Sequence, residues 1–169
     1  MAYGYEDEYG KAIADYIRAI AAEPKVADYY RRRGATYEAR SADRGRRDYG
    51  LALPDLTRAI ALDPSDAGTF YNRGLAYLSV RQSGRAVADF TRAIALDGKL
   101  EVAYGSRGWV YERWQDYDRA IADETAAIAL KPGDVNAYCV RAYAYAKKGD
   151  KKRAASDREK VRRLEGPQT

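Results

Sequence analysis

Between positions 67 and 100 the large and small apolar residues recur three and four apart, first from Phe70 to Val80 and again from Arg85 to Leu96. Spacing of that kind puts them on one face of a helix, so the stretch predicts two amphipathic helices. Ser83 and Gly84 punctuate the predicted turn between them. The next stretch, 101–134, has the same length and keeps the same residue types at the same offsets.

An internal period of 34 residues therefore organises the chain. Aromatic positions align as Phe70, Tyr104 and Tyr138, and seven residues later as Tyr77, Tyr111 and Tyr145, with Gly74, Gly108 and Ala142 between them. Alanines follow at Ala86, Ala120 and Ala154, and then at Ala93 and Ala127, with Val161 in the last copy. Upstream, Tyr30, Gly34, Tyr37, Ala52 and Ala59 repeat the pattern in a copy six residues longer. Ala12, Tyr16, Ala19, Ile20 and Pro24 reproduce only its second half. Small residues at facing columns let two helices approach closely while rings fill the space around the contact. A lone pair cannot cover its apolar face, and stacked neighbours can.

This pattern resembles the tetratricopeptide repeat. The residues that carry the resemblance in one unit are Phe70, Gly74, Tyr77, Ala86, Phe90 and Ala93, with Gly98 where the family usually has the proline seen here as Pro24, Pro64 and Pro132. The resemblance implies an all-α fold, a right-handed α-solenoid of antiparallel helix pairs with about nine helices. Its parts would be one array over 1–165: a leading half-repeat (1–26), a repeat with an insertion between its helices (27–66), two regular repeats (67–100, 101–134), and a last repeat with a basic capping helix (135–165). Residues 166–169 are expected to fray. Two positions depart from the family. Glu124 and Arg158 stand in the column of Phe90 and Tyr16. Trp109 or Trp114 is expected to fill the gap at Glu124, and a polar terminal helix accounts for Arg158.

The leading half-repeat leaves a helix over about 6–22 with an uncovered apolar face bearing Ile13, Tyr16 and Ile20. Either the chain is cut from a longer array or another copy covers that face. In the next unit the first helix is expected over about 27–39, and the extra residues fall in a loop at 41–47. Pro54 predicts a kink or restart, because an interior proline costs about 3 kcal/mol.

Composition narrows the function. Of 169 residues 46% are apolar, and no run approaches the ~20 needed to span a bilayer. No signal peptide is visible, which favours the cytoplasm. Cys139 is the single cysteine and there is no histidine, so the commonest general base and metal ligand is missing. No phosphate-cradling glycine loop, metal-spaced Cys/His set or nucleophile motif occurs. The chain reads as a non-enzyme with no cofactor. Its net charge of +5 lies wholly in the tail: residues 1–133 hold 20 basic and 20 acidic side chains, and 134–169 hold 10 and 5.

An arginine column, Arg33, Arg73, Arg107 and Arg141, faces an aspartate column, Asp15, Asp55, Asp89, Asp123 and Asp157, so each arginine can pair with an aspartate of its own or the preceding unit. Repetition in every unit marks these as ion pairs that set helix register. Asp116, Asp118, Asp123 and Glu124 are expected at a helix start and a solvated face.

The resemblance implies that the first helix of each unit lines a groove, with varied residues on a repeated frame. Those positions include Arg31, Tyr71, Leu75, Trp109, Glu112, Arg113, Cys139, Tyr143 and Lys147. Tyr71, Trp109 and Tyr143 suit an extended peptide with apolar anchors, and Arg113 and Lys147 suit its acidic groups. Trp109 has a second reading, packing between units. The Lys/Asn/Arg clamp by which one branch of the family holds acidic chaperone tails is not matched: Arg31 and Asn72 fall in roughly appropriate columns, but Ala35, Val102 and Ser106 occupy the others. Alternatives to a peptide-binding scaffold are self-association through the first helix and polyanion or nucleic-acid binding through an anion patch at Arg40, Arg44, Arg46 and Arg47 together with the basic tail. Asp43 and Asp48 dilute that patch and no aromatic is interleaved, which weighs against nucleic acid.

Overall fold

The heptad-like spacing of small and aromatic residues folds into helices throughout. The structure, a computed structural model, describes residues 3–43 and 48–166, and side chains over 8–40 and 50–166. The described residues form nine α-helices and one 3-10 turn, with no strand. Backbone contacts divide the chain into two compact units, Met1–Leu96 and Asp97–Thr169.

The first unit contains α1 (Tyr3–Ala22), α2 (Ala27–Asp43), a 3-10 turn (Asp48–Leu51), α3 (Ala52–Leu62), α4 (Ala67–Ser79) and α5 (Ser83–Leu96). Helix α2 packs on α1 and covers most of the face expected to be bare: Ile13 is buried, Tyr16 and Ile20 are half-buried, and Ile17 is the exposed apolar residue. Part of the insertion lengthens α2 to 17 residues, against 13 in α4, where the sequence predicts a loop from position 41. Arg44, Arg46 and Arg47 lie outside the described residues. The expected restart is present, since α3 begins at Ala52 and puts Pro54 in its first turn, where backbone N–H groups have no helical partner to lose. Leu56, Ala52 and Ala76 form the core between α3 and α4, with Tyr37 and Leu53 against it.

The second unit contains α6 (Glu101–Arg113), α7 (Tyr117–Leu130), α8 (Val135–Lys147) and α9 (Lys151–Glu165). Asp116, Asp134 and Asp150 cap three of these helices, as Asp66 caps α4, each accepting a backbone N–H of the first turn. Ala103, Val110, Tyr111, Ala120, Ala127, Tyr138, Ala144, Tyr145 and Ala154 form the buried interior.

The turn between α4 and α5 closes ahead of Ser83 and Gly84, which both belong to α5. Arg81, Gln115 and Gly149 adopt positive φ, at 61°, 61° and 81°. The following N–H groups, of Gln82, Asp116 and Asp150, donate to the carbonyls of Tyr77, Tyr111 and Tyr145 at 2.8, 2.9 and 2.9 Å. This is the Schellman closure, in which a left-handed residue satisfies carbonyls left over at the helix end.

The arginine and aspartate columns meet within each helix pair. Arg33 grips Asp55 with two bonds of 2.6 Å, and Arg73–Asp89, Arg107–Asp123 and Arg141–Asp157 repeat the same two-pronged geometry at 2.7–2.9 Å. Partners are 16 residues apart in three pairs and 22 in the pair with the longer connection. All four aspartates are buried, and rings cover the guanidiniums: Arg73 lies 5.7 Å from the centroids of both Phe70 and Tyr77.

At Gly74 the two helices touch so closely that a Cβ would fall 2.5 Å from Phe90 Cε1. Gly74→Ala is therefore expected to destabilise by about 1–3 kcal/mol through overpacking. In an open helix the same change usually gains stability, ~1 kcal/mol. Gly84→Ala, where nothing lies within 4 Å of the new methyl, provides the contrast of sign in urea unfolding followed by circular dichroism.

Candidate functional site

The residues that the sequence places along the first helices divide between the two units, and their surroundings differ. In the first unit Arg31 is held by carboxylates: it pairs with Asp28, and its Nε lies 3.6 Å from Asp66 Oδ2. It shares a cavity of about 370 Å³ with Asn72, Thr69 and the aspartates. Tyr71 is half-buried and tilts against Phe90, ring centroids 5.8 Å apart, and Leu75 is also half-buried. These two therefore contribute to packing as well as to the surface. Arg40 stacks 5.2 Å from the centroid of the half-buried Tyr37, so the described member of the anion patch is tied to a ring.

Glu38 lies about two turns further along α2 than Arg31. Burial pushes its carboxyl up to about 7, and Oε1 has no hydrogen-bond partner among the described residues.

In the second unit the rings are open. Trp109 on α6 is 44% exposed and Tyr143, 34 positions later on α8, is 45% exposed. Arg113 stands 5.4 Å from the Trp109 centroid and Lys147 stands 5.2 Å from that of Tyr143. Each pair is a residue and its fourth neighbour on one helix, the spacing that stacks side chains one above the other. Tyr117 meets Tyr143 edge-on at 6.5 Å and braces it from α7. Glu112 is half-buried and Cys139 exposed. Burial, and secondarily the Glu165 carboxylate, pushes the Cys139 thiol up, so it is neutral at neutral pH.

Exposure of Trp109, and of Trp114 at 48%, corrects the expectation that an indole fills the place vacated at Glu124. Glu124 fills it itself. Its side chain is fully buried under α6, where a Cβ on Gly108 would lie 2.6 Å from Oε1, as the Phe90 ring lies under Gly74. Neither carboxyl oxygen has a hydrogen-bond partner among the described residues. Burial, reinforced by the charges of Asp123 and of Asp134 at the start of α8 and opposed by Arg141, pushes its carboxyl up to about 9. Glu124 and Asp123 are thus interior residues, not members of a solvated face. Their column in the repeat was the only signal of it, since residue type alone points outward.

Comparison with known proteins agrees with this geometry. The family model described as tetratricopeptide repeat matches residues 38–101 and 71–135, together more than half of the chain. No curated protein matches by sequence. Among solved structures, the crystal structure of MamA is 28% identical with a TM-score of 0.84, covering 95% of this chain and 91% of that one. YrrB, described as a TPR protein with an unusual peptide-binding site, is 20% identical with a TM-score of 0.79 over 95% of this chain and 80% of its own, a likeness of fold. The second TPR of Spaghetti (RPAP3), bound to HSP90 peptide SRMEEVD, is 31% identical with a TM-score of 0.57, covering 59% of this chain and 87% of that one. No described helix is long and apolar enough to cross a membrane. Helix pairs closed at a 34-residue interval, small residues seating a side chain from the partner helix, and the matched family model together assign the protein: the chain belongs to the tetratricopeptide repeat family, an all-α fold of interaction modules.

Proposed function

We propose that the chain is a non-enzymatic scaffold that binds an extended protein segment on the faces of its first helices, with Trp109 and Tyr143 as anchors and Arg113 and Lys147 contacting acidic groups. The observation that carries this reading is the pair of exposed rings at equivalent positions of α6 and α8, each with a cation stacked on it. Half-exposed indole and phenol groups give large contact area at small entropic cost, and Trp, Tyr and Arg dominate interface hot spots. Elsewhere on these helices the repeat columns are occupied by packing residues, so the variable positions are free to specify a partner. A domain 31% identical to part of this chain holds a peptide, which supports the class of ligand. The chaperone-tail clamp columns, filled here by Ala35, Val102 and Ser106, direct the reading away from that ligand itself.

The test is capture of partners from native lysate by the chain and by Trp109→Ala/Tyr143→Ala, with circular dichroism to establish equal helicity. The variant is expected to lose specific partners, since each anchor contributes about 2 kcal/mol. Retention of every partner by the helical variant would move binding off these faces. Tyr71 is left intact because its ring packs on Phe90.

A further inference from the structure

The column that holds Phe90 in α5 and Glu124 in α7 holds Arg158 in α9. Phe90 and Glu124 are buried in their slots, but Arg158 is exposed. Beside it, between α8 and α9, lies a cavity of about 610 Å³ lined by Cys139, Ala142, Tyr143, Arg158, Val161 and Arg162. Carbon and neutral groups make its floor: Ala142 is buried, Val161 half-buried, and the thiol of Cys139 carries no charge. Two guanidiniums stand at the rim. In this unit Arg107, Arg119, Arg141, Arg153 and Arg163 each hold a carboxylate, and Arg113 stacks on Trp109. Arg158 and Arg162 have no ion pair among the described residues. Glu165, at the end of α9, is the one carboxylate whose charge is felt at Cys139.

We propose that this α8–α9 cavity is a binding site for an acidic protein segment, taking one apolar side chain while Arg158 and Arg162 hold the flanking carboxylates. The inference rests on the reading of the chain as a binder of protein segments and gives its ligand a charge and an anchor. An apolar pocket ringed by cations that lack counter-ions complements that chemistry, and a guanidinium gives a carboxylate two parallel bonds. Residues 134–169 hold 10 basic side chains against 5 acidic, so the surroundings attract the same ligand.

The experiment is a titration of the isotopically labelled full chain, followed by backbone amide and indole resonances. The probe is a blocked peptide with one phenylalanine flanked on both sides by acidic residues, and its comparisons have glycine for the phenylalanine or lysines for the acids. The expected result is movement of the Ala142, Tyr143, Val161 and Arg162 signals with the acidic phenylalanine peptide. Affinity should fall about tenfold or more in Arg158→Glu/Arg162→Glu, from loss of charge-assisted contacts. Arg158→Phe, which puts the α5 residue of this column beneath Ala142 instead of a glycine, should fill the cavity and abolish binding while circular dichroism shows the helices intact. Equal binding of the glycine peptide, unchanged affinity in either variant, or no movement at Val161 overturns the proposal. So does a concentration-dependent shift of these signals without peptide, which would give the cavity to a second copy. Movement confined to the Trp109 indole and the α6 signals overturns the cavity and leaves the reading of the first-helix faces standing; loss of that reading is seen separately, in the lysate capture with Trp109→Ala/Tyr143→Ala.

Discussion

Arg73→Met is expected to lower the stability of the chain by about 3–5 kcal/mol, the cost of leaving a buried charge without its partner. Asp89 is buried and receives both prongs of the Arg73 guanidinium, at 2.7 and 2.8 Å. The Phe70 and Tyr77 rings cover the cation and keep water from replacing it. Methionine keeps most of the stem that packs between those rings and removes only the fork. The companion measurement is Arg73→Met/Asp89→Leu, which removes both charges and should recover most of the loss, because a buried ion pair and a packed apolar pair of similar volume are close in energy. Urea unfolding of the two variants and the parent completes the cycle. A single-variant loss under about 1 kcal/mol would place this pair with ordinary surface salt bridges.

Glu124→Phe should act in the opposite direction, raising stability by about 3 kcal/mol as an unsatisfied carboxyl is exchanged for a buried ring. For a chain of this size that is roughly 6–12 °C in Tm. The equivalent slot in α5 holds a ring, with Gly74 standing over Phe90 as Gly108 stands over Glu124. The sign of the pH effect follows from the shift to about 9 from an ordinary 4.5. Between those values the folded chain holds a proton that the unfolded chain releases, so the contribution of Glu124 to stability is fully present below about 4.5 and is lost as pH rises through about 9. Raising the pH from 5.5 to 8.5 should therefore lower Tm more in the parent than in Glu124→Gln, where nothing titrates. Parallel curves for the two proteins would mean that Glu124 ionises normally, with water reaching its oxygens.

The helix pairs and their order were legible because the period and the small-residue columns are statements about residue type at fixed spacing. So were the ion pairs: Arg107 and Asp123 recur in every unit, and repetition distinguishes architecture from chemistry. Glu124 was not legible, because a carboxylate in an amphipathic helix ordinarily faces water and only its alignment with Phe90 says otherwise. The left-handed closures at Arg81 and Gln115 were hidden for a related reason. Gly149 marks the same turn plainly, but a non-glycine residue carries no sign of positive φ in its name. Trp109 shows the limit for the candidate site: its repeat position fitted either a packing role or an exposed one, and the fold leaves it 44% exposed. The α8–α9 cavity required coordinates.

The separation between fork partners bears on how the chain folds. Sixteen residues in three pairs, and 22 in the other, mean that the tightest polar contact of every pair closes a short loop. Helical proteins dominated by such local contacts fold in roughly microseconds to milliseconds, and any pair can nucleate before its neighbours. Lengthening the closure from 16 to 22 residues changes its entropic cost by only ~0.3 kcal/mol, from the logarithmic dependence on loop length. The insertion between α2 and α3 is thus nearly without penalty to assembly, and a connection at that point can vary in length while the fork beneath it forms at almost the same rate.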